Sequence, residues 1–160
     1  MATYDREGVI SMLPQQPPFL FVDSAEVCDD GVTGKYKITG EEVFISGHFK
    51  HEPVFPASII FEALGQAACL WVLERAPQAT GKIIHNGQVF FASMDGANVY
   101  RKMRPGDELI FDVKLYRLRD PLAVFSGTVS TPQGERVAKI DRLMLAFGDQ
   151  ILPSEPASAR

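Results

Sequence analysis

Residues 54–73 are almost wholly apolar for about 20 positions, long enough to cross a bilayer as a helix. Glu62 and Gln66 stand inside this run, and a carboxylate at mid-bilayer costs roughly 2.5 kcal/mol or more. The sequence on either side reads as strands rather than as further spans. We therefore expect no membrane insertion and a buried central helix. Pro53 and Pro56 precede it, so the helix proper is expected over residues 57–75, with Pro77 and Gly81 marking its end. A helix apolar on every side has to be covered on nearly every side. That requirement dictates what the rest of the chain must do.

Upstream, Leu13-Pro14-Gln15-Gln16-Pro17-Pro18 is a rigid lead-in that holds no long helix. A buried strand is expected over residues 19–27, a turn at Asp29-Asp30-Gly31 and a returning strand over 32–38. Residues 41–49 read as loop or short helix, and 48–56 as a proline-punctuated loop. Downstream, residues 82–94 and 97–103 read as strand pieces interrupted by Asp95-Gly96, followed by a strand over 109–117. A hairpin over 122–130 and 136–147 turns at Thr131-Pro132-Gln133-Gly134. Two strands, one long helix and four strands give an α+β chain, a curved antiparallel sheet wrapped about a central helix. One domain is expected over residues 1–148, with a disordered tail over 149–160.

The whole chain has 160 residues, enough to bury a core without staples. Sixteen basic against twenty acidic residues give a net charge of −4, which argues against a nucleic-acid partner. Cys28 and Cys69 lie far apart in no zinc or redox spacing, and the polar N-terminus lacks a secretory signal. These features point to a soluble, cytoplasmic protein.

Glu62 is the least expected residue in the chain. Burial among Ile59, Ile60, Phe61 and Leu64 disfavours its charged form, and a proton-holding carboxyl suits a general acid. Its plainer reading is a glutamate on a polar seam or paired across an interface. His48 lies fourteen positions earlier in Gly47-His48-Phe49, and a neutral imidazole is a natural base at physiological pH. Its plainer reading is a loop histidine satisfied by backbone. His48, His51 and Glu52 do not amount to a metal site, since no further ligand cluster is evident. Pro56 and Ala57 open the helix, whose unpaired amides can receive a developing oxyanion, though every helix needs such a start. Cys69 reads as core packing. Arg101, Lys102 and Arg104 form a basic cluster in an acidic chain, either a docking surface or a solvated strand end.

Taken in order, Gly47-His48-Phe49, Pro53-Val54-Phe55-Pro56 and Glu62-Ala63-Leu64-Gly65-Gln66 resemble the FabZ-type 3-hydroxyacyl-acyl carrier protein dehydratases, a hotdog-fold family. Pro18-Phe19-Leu20-Phe21-Val22-Asp23, Phe90-Phe91-Ala92-Ser93-Met94-Asp95 and Arg104-Pro105-Gly106-Asp107 extend the likeness to about residues 9–147. The resemblance implies His48 as the base for the C2 proton, Glu62 as the acid for the C3 hydroxyl and the Ala57 amide as donor to the thioester carbonyl. It implies an apolar acyl tunnel, for which Phe55 and Phe91 are chosen as lining by their positions in the sequence, and it favours Arg101, Lys102 and Arg104 as contacts for an acyl carrier protein. It also implies a homodimer whose sites join the histidine of one subunit to the glutamate of the other, with a trimer of dimers as the higher assembly. No metal or organic cofactor is called for.

The chain departs from the family pattern at three places: Gln15-Gln16 replaces His-Arg, Lys50-His51 replaces Pro-Gly, and Ala57 replaces a glycine. Two other readings stay open on the sequence. One is a hotdog thioesterase using Glu62 as base for water; the other is a non-catalytic acyl-binding hotdog subunit.

Overall fold

A computed structural model describes residues 1–148; the tail expected over 149–160 lies outside the described residues. The long apolar run forms helix α2 (Ala57–Thr80), and most of its side chains are buried. Leu64, Ala67, Ala68, Leu70 and Val72 are fully enclosed, which explains a helix with no polar face. Trp71 fixes it in rotation: Nε1 donates to the Cys28 and Asp29 carbonyls at 3.1 and 3.2 Å, and the ring meets Phe125 edge-on.

The cover is one eight-stranded antiparallel sheet. Its strands are β1 (Ala2–Tyr4), β2 (Ser24–Val27), β3 (Gly31–Lys37), β4 (Val89–Asp95), β5 (Asn98–Val99), β6 (Glu108–Arg119), β7 (Leu122–Ser130) and β8 (Arg136–Phe147). They lie in the order β1-β2-β3-β6-β7-β8-β4, with β5 also paired to β8. β6 and β7 alternate buried and exposed residues along much of their length, as strands wrapped on one side over a core must. This is the hotdog architecture, a curved sheet around one long helix. The expected hairpin of β7 and β8 forms with its turn at Thr131–Gly134, where Gly134 N donates to the Thr131 carbonyl at 2.9 Å.

Four local expectations need correction. The helix runs past residue 75 and carries Pro77 within its last turn. That proline forgoes only the bond to the Leu73 carbonyl; the turn still closes through Thr80 Oγ1 on Ala76 and Gly81 N on Pro77, and Gly81 terminates it at φ 70°. Second, the strand expected over 19–27 begins only at Ser24, because the Phe21 amide is taken by the Gln66 side chain and not by a neighbouring strand. Third, residues 82–88 are not strand: a short 3₁₀ turn (Asn86–Gln88) delays β4 to Val89. Fourth, the strand piece expected over 97–103 shrinks to the two residues of β5. The N-terminus, for which no element was expected, holds β1 and a short helix, α1 (Arg6–Met12). Asp5 caps α1 by accepting from the Gly8 amide at 2.9 Å, a signal present in the sequence that the polar composition obscured.

Candidate active site

The chain reaches the start of α2 through the loop of residues 48–56, which a 3₁₀ turn (Ile45–Gly47) delivers. Backbone hydrogen bonds fix its path: Val54 N to His48 O at 2.7 Å, Phe49 N to Glu52 O at 3.3 Å and Phe55 N to Met103 O at 2.7 Å. The His48–Phe49 peptide is cis. His48 Nδ1 lies 2.7 Å from the Val54 carbonyl oxygen. A carbonyl can only accept, so Nδ1 donates, and in the neutral ring the lone pair falls to Nε2. Phe49 stacks on the imidazole at 4.6 Å between centroids, and Lys102 Nζ lies 5.5 Å from the centre of the Phe49 ring.

His48 lines a groove of about 440 Å³ together with Phe49, Ala57, Ile60, Tyr100 and Lys102. Ala57 brings the opening turn of α2 to this groove, and its side chain is exposed. The residue before it, Pro56, sits at φ −62° and ψ 134° and offers no side-chain cap. The first amides of a helix have no acceptor within it; here they also carry the positive end of a 24-residue helix dipole. A ring nitrogen that can take a proton and amides that can receive negative charge thus share one groove.

Glu62 is placed differently. It is partly buried one turn and a half into α2, and it does not line the His48 groove. Its Oε1 accepts from Gln66 Nε2 at 2.9 Å. Gln66 is fully buried, 0% exposed, and its amide is used on all sides: Oε1 accepts from Phe21 N at 2.8 Å and Nε2 also donates to Phe19 O at 3.2 Å. Within one chain the structure therefore gathers His48 with Ala57 in one groove, which Glu62 does not line, and joins Glu62 through Gln66 to the segment of Phe19 and Phe21.

The remaining sequence candidates divide. Phe55 borders the groove, but its ring is 2% exposed and packs among Phe21, Tyr36 and Phe44. Phe91 is 39% exposed on the edge strand β4 and lies against Gly65, where an added Cβ would come within 2.9 Å of its ring. Arg101 and Lys102 line the groove, whereas Arg104 does not. Arg101 is paired with Glu135, and Arg104 with Glu52, its Nε donating to Oε1 at 2.9 Å. Glu52, weighed with His48 and His51 as a ligand, is thus committed to an arginine, which holds its carboxyl below the usual range. Cys69 is buried, and burial together with the nearby Glu62 charge pushes its thiol up to about 12, as a packing residue and not a nucleophile.

Sequence reasoning assigned no part to Gln66, Phe19 or Tyr100. Gln66 carried a usable signal, an amide four positions after the glutamate in an otherwise apolar helix. The placement of Tyr100 depends on β5 pairing with β8, which no local pattern announces.

A curved sheet wrapped on a central helix, with a histidine at the helix mouth, defines a hotdog-fold protein. More narrowly, the chain belongs to the FabA-like family: the model of the FabA-like domain matches residues 13–141. The 3-hydroxyacyl-[acyl-carrier-protein] dehydratase FabZ of Lactococcus lactis subsp. cremoris is 36% identical over 132 residues, 82% of this chain and 87% of that protein. FabZ of Herpetosiphon aurantiacus is 36% identical over 143 residues, 84% and 97% of the two chains. Among solved structures, the dehydratase heterocomplex ApeI:P from Xenorhabdus doucetiae superposes with a TM-score of 0.73 at 17% identity, covering 89% of this chain and 91% of that one. Uncharacterized protein PH1136 from Pyrococcus horikoshii gives 0.64 at 10% identity, covering 94% and 97%. At these identities the solved structures speak for the fold.

Proposed function

We propose that the chain is a dehydratase that removes water from (3R)-3-hydroxyacyl thioesters on an acyl carrier protein, giving trans-2-enoyl thioesters in fatty acid or related acyl-chain synthesis. The observation that carries the mechanism is the anchored His48 ring in one groove with the uncapped start of α2. His48 Nε2 takes the C2 proton, and the freed electron pair forms the C2–C3 double bond. The C3–O bond breaks, and the departing hydroxyl leaves as water with the proton of Glu62. Negative charge that grows on the thioester oxygen is met by the Ala57 amide. Transfer of the proton from His48 back to Glu62 through solvent restores the site.

This division of labour calls for a second chain; in support, Glu62 is not among the residues that line the His48 groove of its own chain. The working unit is a homodimer in which each groove takes its acid from the partner, and the edge strand β4, with Phe90, Phe91 and Met94 exposed, offers apolar surface for it. Trimers of such dimers are the larger form. Residues 1–148 act as one dehydratase domain working in the cytoplasm. Lys102 and Arg101 at the groove receive the carrier protein, with Arg104 nearby, and Phe55 and Phe91 border the acyl path.

The test is turnover of (3R)-hydroxyacyl-acyl carrier protein, read by mass spectrometry for loss of water. Wild type should yield the enoyl product; His48→Ala and Glu62→Gln should not, with their assembly unchanged. Free thiol would instead identify a thioesterase, and tight binding without turnover a non-catalytic subunit.

A further inference from the structure

Ala57 is the first residue of α2, and Pro56 before it ends the loop that carries His48. Ile59 and Ile60 both donate to the Pro56 carbonyl, at 3.0 and 3.2 Å, whereas the Ala57 amide has no acceptor among the described residues. A Cα–Cβ bond on a helix leans toward the N-terminus, the direction in which the first N–H groups also point. The Ala57 methyl and the Ala57 N–H therefore face the same way, at the groove that His48 and Ala57 both line. The residue is exposed, which leaves that methyl open to whatever enters.

Covalent geometry sets how near it comes. N and Cβ of one residue are about 2.5 Å apart, and an oxygen that accepts from N lies about 2.9 Å away. The carbonyl carbon bound to that oxygen then falls within about 4 to 5 Å of the methyl, where carbon atoms touch at about 3.5 to 4.0 Å. Of that carbon's two substituents, C2 is the one that has to lie toward His48 Nε2. The imidazole does not make way, because Nδ1 is tied to the Val54 carbonyl at 2.7 Å and Phe49 is stacked on the ring.

Resting on the reading of the Ala57 amide as the carbonyl donor, we infer that the Ala57 methyl is a specificity-determining group. It selects 3-hydroxyacyl thioesters with a plain methylene at C2 and turns away those with a methyl branch there. In the reaction one C2 hydrogen goes to Nε2 and the other stays on the new double bond. A branch in place of that second hydrogen has the imidazole on one side and the Ala57 methyl on the other. The selection is local to C2 and independent of the chain beyond C3.

Wild type and Ala57→Gly are compared on a 3-hydroxyacyl pantetheine thioester and on both C2 epimers of its 2-methyl analogue. The readout is the ratio of kcat/KM, branched over unbranched, within each protein. The lower acidity of a branched C2 is common to both proteins, and any change in the amide or the fold bears on both substrates, so neither moves the comparison of ratios. Ala57→Gly should raise the ratio about 10-fold or more for the better epimer. A ratio within about 3-fold of the wild-type one would overturn the inference, as would a wild type that takes both substrates within about 3-fold of each other. Competition needs no variant: on wild type, a 2-methyl-2-enoyl thioester should inhibit about 10-fold more weakly than the 2-enoyl thioester, and equal inhibition would sink the idea as well. If wild type dehydrates the unbranched substrate and the two ratios agree, only the role of the methyl fails. If it dehydrates neither substrate, the dehydratase reading fails with it.

Discussion

His48 and Glu62 are held by opposite means. His48 stands in a surface loop whose path is set by backbone hydrogen bonds, and the Phe49 ring stacked on it is 49% exposed. Glu62 projects from a helix enclosed by the sheet, held by a side chain that is itself inside the core. A histidine anchored by backbone can be changed with little harm to the fold. A carboxyl held by a buried amide is coupled to packing, so that on the proposed reading the helix serves as both core and catalyst. The chain uses one long apolar helix to carry its least apolar residues, and the interior amide makes that workable.

The comparison can be broken most sharply at the two groups themselves. His48→Ala and Glu62→Gln should each lower kcat by about 1,000-fold, because each removes a proton-transfer partner. Their melting temperatures, by calorimetry, should remain near that of wild type. Next come the neighbours. Leu64→Ala, two positions beyond the acid and fully buried, should cost about 3 kcal/mol of stability in urea titration, whereas Phe49→Ala, beside the base, should cost about 1 kcal/mol or less. Equal costs would erase the distinction between a surface-held base and a core-held acid.

Smaller effects follow at the groove mouth. Lys102→Ala should raise KM for a carrier-bound substrate about 3- to 10-fold and leave a pantetheine substrate unaffected, because charge steers the carrier and not the chain. Arg104→Ala should do less, since its charge is committed to Glu52.

Smallest is an acid effect away from both groups. Burial raises the Glu42 carboxyl, but amide donors at Thr39 and Gly40 and the Tyr36 hydroxyl outweigh it and hold the group below its ordinary 4.5. A lowered carboxylate stabilises the fold above its unfolded value and loses that contribution as pH falls through the folded one. Glu42→Gln should therefore be less stable at neutral pH and show a flatter decline below about pH 4.5 in urea melts taken across pH.

Much of this was legible in the residues, for reasons that differ by region. The helix and the β6–β7–β8 strands follow from apolar run and alternation, and the structure bears them out with only shifted ends. His48 and Glu62 stood out as candidates because each is a chemical exception in its surroundings. The stretch of residues 19–23 misled because an apolar run says that a segment is buried and not which group satisfies its backbone; here a helix side chain, forty-five residues away from Phe21, does so. The basic cluster was legible as a run of charge but not in its pairing, since Glu52 and Glu135 approach Arg104 and Arg101 only after folding. Nor could the sequence reveal that the groove around His48 takes in Ala57 and Ile60 of the helix but not Glu62, because the loop leading to the helix carries no period.

The central claim is that each site is built from two chains, and complementation tests it directly. His48→Ala and Glu62→Gln proteins, each inactive alone, are unfolded together, refolded as a mixture and assayed for water loss. In a two-fold dimer with shared sites, half of the assemblies are mixed and each mixed dimer holds one intact pair, so about a quarter of wild-type activity should return. If base and acid came from the same chain, the mixed dimer would contain no intact pair, and the mixture would remain as inactive as its components.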